Sequence, residues 1–150
     1  MLQDNTDTTP RDIRHAAMDL LARREHSRRE LSEKLFRRFP FQQTIDEQLD
    51  RLEQDGLLSD ERFVESFVNY RYNSGKGPLR ILQELKQKGI DQELIDAYVD
   101  PKEDHWRECA QQVLQKKFGV DKASSPAEKA KRARFLQYRG FTSEQVFRLL

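Results

Sequence analysis

The sequence predicts an all-α protein built from three successive three-helix units, and three observations lead there. An apolar stripe spaced i, i+3, i+4, i+7, i+8 occurs three times. It runs through Ile13, Ala16, Ala17, Leu20 and Leu21, through Asp60, Phe63, Val64, Phe67 and Val68, and through Trp106, Cys109, Ala110, Val113 and Leu114. That spacing lines one face of a helix, and Asp60 is the one polar residue in it. Local charge alternates in sign: net +4 over residues 11–38, −6 over 40–66, +4 over 67–90, −5 over 91–108 and +6 over 116–139. A beat of about 45–50 residues is the mark of repeats. No stretch alternates apolar and polar residues long enough for a strand.

Residues 1–9 lack apolar periodicity and are expected to form a flexible tail. The first unit, residues 10–58, opens on a Thr9-Pro10 cap and first turn. Ser27-Arg28-Arg29-Glu30 reads as a capping box for its second helix, which turns Leu31, Leu35 and Phe36 inward. Thr44-Ile45-Asp46-Glu47 reads as a capping box for the third, with Ile45, Leu49 and Leu52 inward, and Gly56 as its stop. The second unit, residues 59–100, is capped by Ser59. Asn73-Ser74-Gly75-Lys76-Gly77 breaks the register, and Pro78 suits the next first turn. Ile81, Leu82 and Leu85 follow, then Gly89 as a left-handed stop. Asp91 caps a short helix that buries Leu94, Ile95, Tyr98 and Val99. The third unit, residues 101–150, carries the Trp106 stripe. A helix behind Ser125-Pro126 follows, with Ala130, Ala133, Leu136 and Phe135 inward. The last helix is capped by Thr142 and buries Val146, Leu149 and Leu150. Ile13, Asp60 and Trp106 align as the starts of the first helices. Each unit is too small to stand alone, so neighbours must stack.

The chain of 150 residues is 36% hydrophobic and 35% charged, which suits an extended helical body with much surface. One cysteine, Cys109, excludes an intramolecular disulfide. There is no apolar run long enough for a membrane span, and the polar, acidic N-terminus lacks the pattern of a signal peptide. These features point to a cytoplasmic protein with no membrane partner. No long apolar stripe is left over for a dimer interface, which points to a monomer.

No constellation for catalysis, cofactor or metal emerges. His105 and Cys109 share the i, i+4 spacing of metal ligands, but they lack a second pair, and Cys109 lies on the apolar face. The loop 73–77 has the glycines and lysine of a phosphate loop without its spacing or preceding strand. Basic blocks at the hinges are the stronger signal. They comprise Arg23, Arg24, Arg28 and Arg29 in the first unit, Arg71, Lys76 and Arg80 in the second, and Lys129, Lys131, Arg132 and Arg134 in the third. Such ridges can neutralise phosphates or pair with an acidic protein surface, and Tyr70, Tyr72 and Tyr138 offer rings for stacking. Two classes follow: a modulator of a protein–nucleic acid assembly, or a helix-turn-helix protein acting directly on DNA. A winged-helix reader needs a β-hairpin after its recognition helix, and the helical period of LLSDERFVESFV counts against it.

The segments LLARREHSRRELSEKL, DGLLSDERFVESFVNYRYNSGKGPLRILQELKQKGI and RFLQYRGF resemble the RecX family of bacterial regulatory proteins. The resemblance runs from about Ile13 to the end, with the third unit matched more loosely. It implies three tandem three-helix repeats in an elongated, curved arrangement. It also implies a non-enzymatic modulator of the RecA recombinase that binds RecA filaments on DNA. Such a protein inhibits recombinase, ATPase and coprotease activity in DNA repair, recombination and the SOS response, and it can bind single-stranded or duplex DNA directly.

Overall fold

The structure, a computed structural model, describes residues 9–150. The described residues form nine helices and no strand. These are α1 (Pro10–Arg23), α2 (Arg28–Arg38), α3 (Gln42–Gln54), α4 (Asp60–Asn73), α5 (Pro78–Gln87), α6 (Gln92–Tyr98), α7 (Asp104–Phe118), α8 (Pro126–Arg139) and α9 (Ser143–Leu149). The expected N-terminal tail lies outside the described residues except for Thr9, which is engaged. Its hydroxyl accepts from Asp12 N–H and the Asp12 carboxylate accepts from Thr9 N–H, a reciprocal cap on α1.

The described residues group into two compact units. One holds residues up to Ser66 together with Lys88–Ile90, and the other holds Phe67–Gln87 and Asp91–Leu150. In the first, α1 packs on α2 and α3. Its core is Ile13, Ala16 and Ala17 from α1, Leu31, Leu35 and Phe39 from and after α2, Ile45, Leu49 and Leu52 from α3, and Leu58. In the second, Cys109, Ala110 and Leu114 of α7 pack with Leu136 of α8, Phe141, and Val146 of α9. Trp106, Ile81, Leu85 and Ile95 are also fully buried. The helical spacing of apolar residues located these cores.

Local chemistry sets most helix starts. Ser27 with Glu30, and Thr142 with Gln145, form complete capping boxes. Ser59, Asp91 and Ser125 each accept an N–H three residues on. The box expected at Thr44 is absent. Helix α3 already starts at Gln42, so Thr44 lies inside its first turn, and the N-cap Phe41 supplies no side-chain bond. Several residues expected inside lie elsewhere. Ala130 and Phe36 are exposed. Leu82, Leu94, Tyr98 and Phe67 are only half-buried, Phe67 with the Arg71 guanidinium 5.9 Å from its ring. Phe67→Ala is therefore expected to cost about 1–2 kcal/mol, below the range of about 3–5 for a fully buried phenylalanine. Urea unfolding measures the difference.

Candidate interaction surface

The hinge between α1 and α2 is a network of charges around one carboxylate. The Ser27 hydroxyl caps α2 and also donates to the Lys88 carbonyl at 2.8 Å. The first amide of α2, Arg28 N–H, donates to Asp60 at 2.8 Å. This explains the acid in the second apolar stripe, since Asp60 satisfies a backbone donor that α2 leaves open. Glu30 is almost fully buried. Arg24 grips it with two nitrogens at 3.1 and 2.9 Å, and Lys88 Nζ lies 2.9 Å away. Burial pulls the Glu30 carboxyl upward, but the hydrogen bonds and charges of Arg24 and Lys88 outweigh it and hold it at about 2.

His26, buried beside this network, has Nδ1 3.0 Å from the Arg24 carbonyl and Nε2 3.0 Å from Lys34 Nζ. A lysine ammonium only donates, so Nε2 accepts and Nδ1 carries the proton given to the carbonyl. Burial pushes the imidazole below its ordinary value, and the charges of Arg24 and Lys34 push the same way against the carbonyl bond. Arg28 reaches Asp50 at 2.6 Å and Glu53 at 2.5 Å.

In the second unit Arg71 holds Glu84 two-pronged, at 2.9 and 2.5 Å, and Arg80 approaches the same carboxylate at 3.7 Å. The Arg80 guanidinium lies 5.8 Å from the Tyr138 ring. Lys76 is half-buried. Burial lowers its ammonium pKa, and Arg139, Arg80 and Arg71 push the same way. The hinge backbone meets the end of α8 directly: Gly77 N–H donates to the Arg139 carbonyl at 2.8 Å and Leu79 N–H to the Gly140 carbonyl at 2.9 Å.

The sequence-based ridge thus divides. Arg24, Arg28 and Arg71 are bound to carboxylates of their own chain, and Arg80 shares Glu84. Arg132 is 8% exposed. It donates to the Asp121 carbonyl at 2.8 Å, pairs with Glu128 at 3.4 Å and lies 5.1 Å over Phe118, so it is part of the interior of its unit. Arg23, Arg29, Lys129, Lys131 and Arg134 are exposed and form no ion pair with a described acid. The stem of Arg29 also lies against Gly89. Of the tyrosines, Tyr70 and Tyr138 are 66% and 80% exposed, while the Tyr72 hydroxyl is tied to the His105 carbonyl. Cys109 sits in the core, where burial pushes its thiol up to about 11. Three cations outside the basic blocks, Lys116, Lys117 and Arg139, line a groove beside Tyr72. The sequence signals for them are the net charge of residues 116–139 and, for Arg139, its place in the segment RFLQYRGF.

Comparison with known proteins covers nearly the whole chain. The family profiles described as RecX first, second and third three-helix domains match residues 14–52, 59–99 and 103–150. The chain belongs to the RecX family. Regulatory protein RecX of Pseudomonas entomophila (strain L48) is 46% identical over 142 residues, 95% of this chain and 92% of that protein. Its counterpart in Pseudomonas syringae pv. tomato is 45% identical over the same shares. A crystal structure of RecX from Lactobacillus salivarius shares the fold, with a TM-score of 0.78 at 23% identity over 93% of each chain. RecX-family relatives carry the name regulatory protein. No described helix of this chain is long and apolar enough to cross a membrane.

Proposed function

We propose that this RecX-family protein binds RecA–DNA filaments and inhibits or modulates the recombinase, ATPase and coprotease activities of RecA. The observation that carries the reading is the match of all three RecX domains, together with 46% identity to a regulatory protein RecX. Exposed cations that pair with no described carboxylate support it: Arg23 and Arg29 in one unit, Lys129, Lys131 and Arg134 in the other. They can meet phosphates or an acidic protein face without first breaking an internal bond. Arg24, Arg28, Arg71 and Arg132 are assigned instead to holding the fold. The protein acts in this reading as a cytoplasmic monomer, with DNA contacted directly or through the filament.

The test is RecA-driven ATP hydrolysis on single-stranded DNA with and without this protein. Inhibition at substoichiometric amounts is the expected result. No effect, with tight binding to one duplex sequence, would favour the helix-turn-helix reader. Within the reading, Arg23→Glu with Arg29→Glu is expected to raise the concentration for half-inhibition about tenfold at low salt and less at high salt. The helical circular dichroism should not change. Reversing Arg28 or Arg80 instead would disturb the Asp50–Glu53 pairing or the packing on Gly140, and so would confuse folding with contact.

A further inference from the structure

The groove of about 550 Å³ in the second unit has an unusual charge balance. It lies between the hinge after α4, the last turns of α7 and the end of α8. Lys116, Lys117 and Arg139 line it, and among the described residues no carboxylate does. The repeat register sharpens the point. Arg24, Arg71 and Lys117 each lie eleven residues beyond the aligned Ile13, Asp60 and Trp106. In the first two units a carboxylate takes the cation two-pronged, Glu30 for Arg24 and Glu84 for Arg71. Lys117 forms no such pair with a described acid, and its ammonium lies 5.9 Å from the Phe135 ring. Arg139 lies 5.2 Å from the same ring and is held by the Ser74 carbonyl at 3.1 Å, which fixes its position and leaves its charge unneutralised. Like charges gathered without counter-charge oppose folding, and a bound anion would relieve them.

We infer that this groove seats the phosphates of single-stranded DNA, with Lys116, Lys117 and Arg139 as the phosphate contacts. Cations interleaved with rings favour a polynucleotide over an acidic peptide. The rings of Tyr72 and Phe135 line the groove among these cations. A base can reach such a ring only when it is unpaired, which favours the single strand over the duplex. The inference deepens the filament-binding reading and rests on it for the choice of DNA as ligand.

The test uses the full chain, a short fluorescein-labelled oligo(dT) and fluorescence anisotropy across a salt series. Both lysines are exposed, so Lys116→Ala with Lys117→Ala is expected to keep its helical circular dichroism and thermal midpoint. Its affinity should fall about tenfold at low salt, and the slope of log K against log salt should shrink by about 1.4, the share of two single-strand phosphates. Equal binding and equal slope in variant and wild type would overturn the inference. So would competition by poly-glutamate as effective as by unlabelled oligo(dT), or a duplex bound as tightly as the single strand. A wild-type protein that inhibits RecA without binding oligo(dT) would overturn this inference and leave the proposed function standing. One that binds oligo(dT) through these lysines and leaves RecA untouched would do the reverse.

Discussion

Gly77→Ala is expected to lower stability by about 3 kcal/mol or more, which corresponds to a fall of about 10 °C in Tm for a chain of this size. A Cβ built at Gly77 would lie 2.5 Å from the Gly140 carbonyl oxygen, and closer still to the Gly140 carbonyl carbon and the Phe141 nitrogen. All three are backbone atoms of the segment that follows α8, so no side-chain rotation can make room. Relief requires the hinge to move away, and that breaks the bonds from Gly77 N–H to Arg139 and from Leu79 N–H to Gly140. Gly140 closes the contact from the other side. Its φ is +102°, and a Cβ there would lie 2.5 Å from Arg80 Cβ. Gly56 serves as the control, because its φ is +76° but nothing stands within 4 Å of an added Cβ. Gly56→Ala should cost only the backbone term of about 1–2 kcal/mol. Thermal melts of the three proteins decide the matter. A Gly77→Ala midpoint within error of wild type would show that the two backbones do not meet this closely.

That contact marks the limit of what single residues disclose. Asn73–Gly77 reads as a hinge and Pro78 as a first turn from local chemistry alone, and both are so. The need for glycine at position 77 comes from Gly140 and Phe141, more than sixty residues away, and no local pattern carries it. The internal partners of the basic ridge are hidden from local pattern in the same way. Arg28 looks free beside Arg29, but its partners Asp50 and Glu53 arrive from α3, and Glu30 draws Lys88 from after α5. Helical spacing succeeded where burial follows from period, as in the stripes of α1 and α7. It failed at Arg132, whose charge suggested surface. The repeat register was the available signal there, because Arg132 stands four residues before the buried Leu136, as Leu31 and Ile81 stand before Leu35 and Leu85. Thr44 failed because a threonine followed by an acid three residues on can also occur inside a first turn, and Phe41 had already begun the helix.

Glu30→Gln is expected to cost about 2–3 kcal/mol at neutral pH, and nearly all of that difference should vanish in acid. The substitution keeps the shape of the side chain and removes the charge that Arg24 and Lys88 share. The cost stays below that of a wholly buried pair, because the Arg24 and Lys88 side chains are 49% and 36% exposed and water can still reach them. The sign of the pH dependence follows from the carboxyl itself. Its folded value of about 2 lies below its ordinary 4.5, so the folded state holds the proton less tightly than the unfolded chain does. The stabilisation is therefore complete above about pH 4.5 and is lost as the pH falls toward 2. His26 adds an earlier stage. Its folded value is also lowered, from 6.5, so stability begins to fall once the pH drops below that value, in wild type and variant alike. Urea unfolding at pH 7, pH 5 and pH 3 separates the two groups. Between pH 7 and pH 5 both proteins should weaken in parallel as His26 resists its proton. Between pH 5 and pH 3 wild type should weaken further while the glutamine variant changes less, so the gap narrows. A gap of constant size at all three values would mean that Glu30 is not the charged centre of the hinge, and that Arg24 and Lys88 are held by something else.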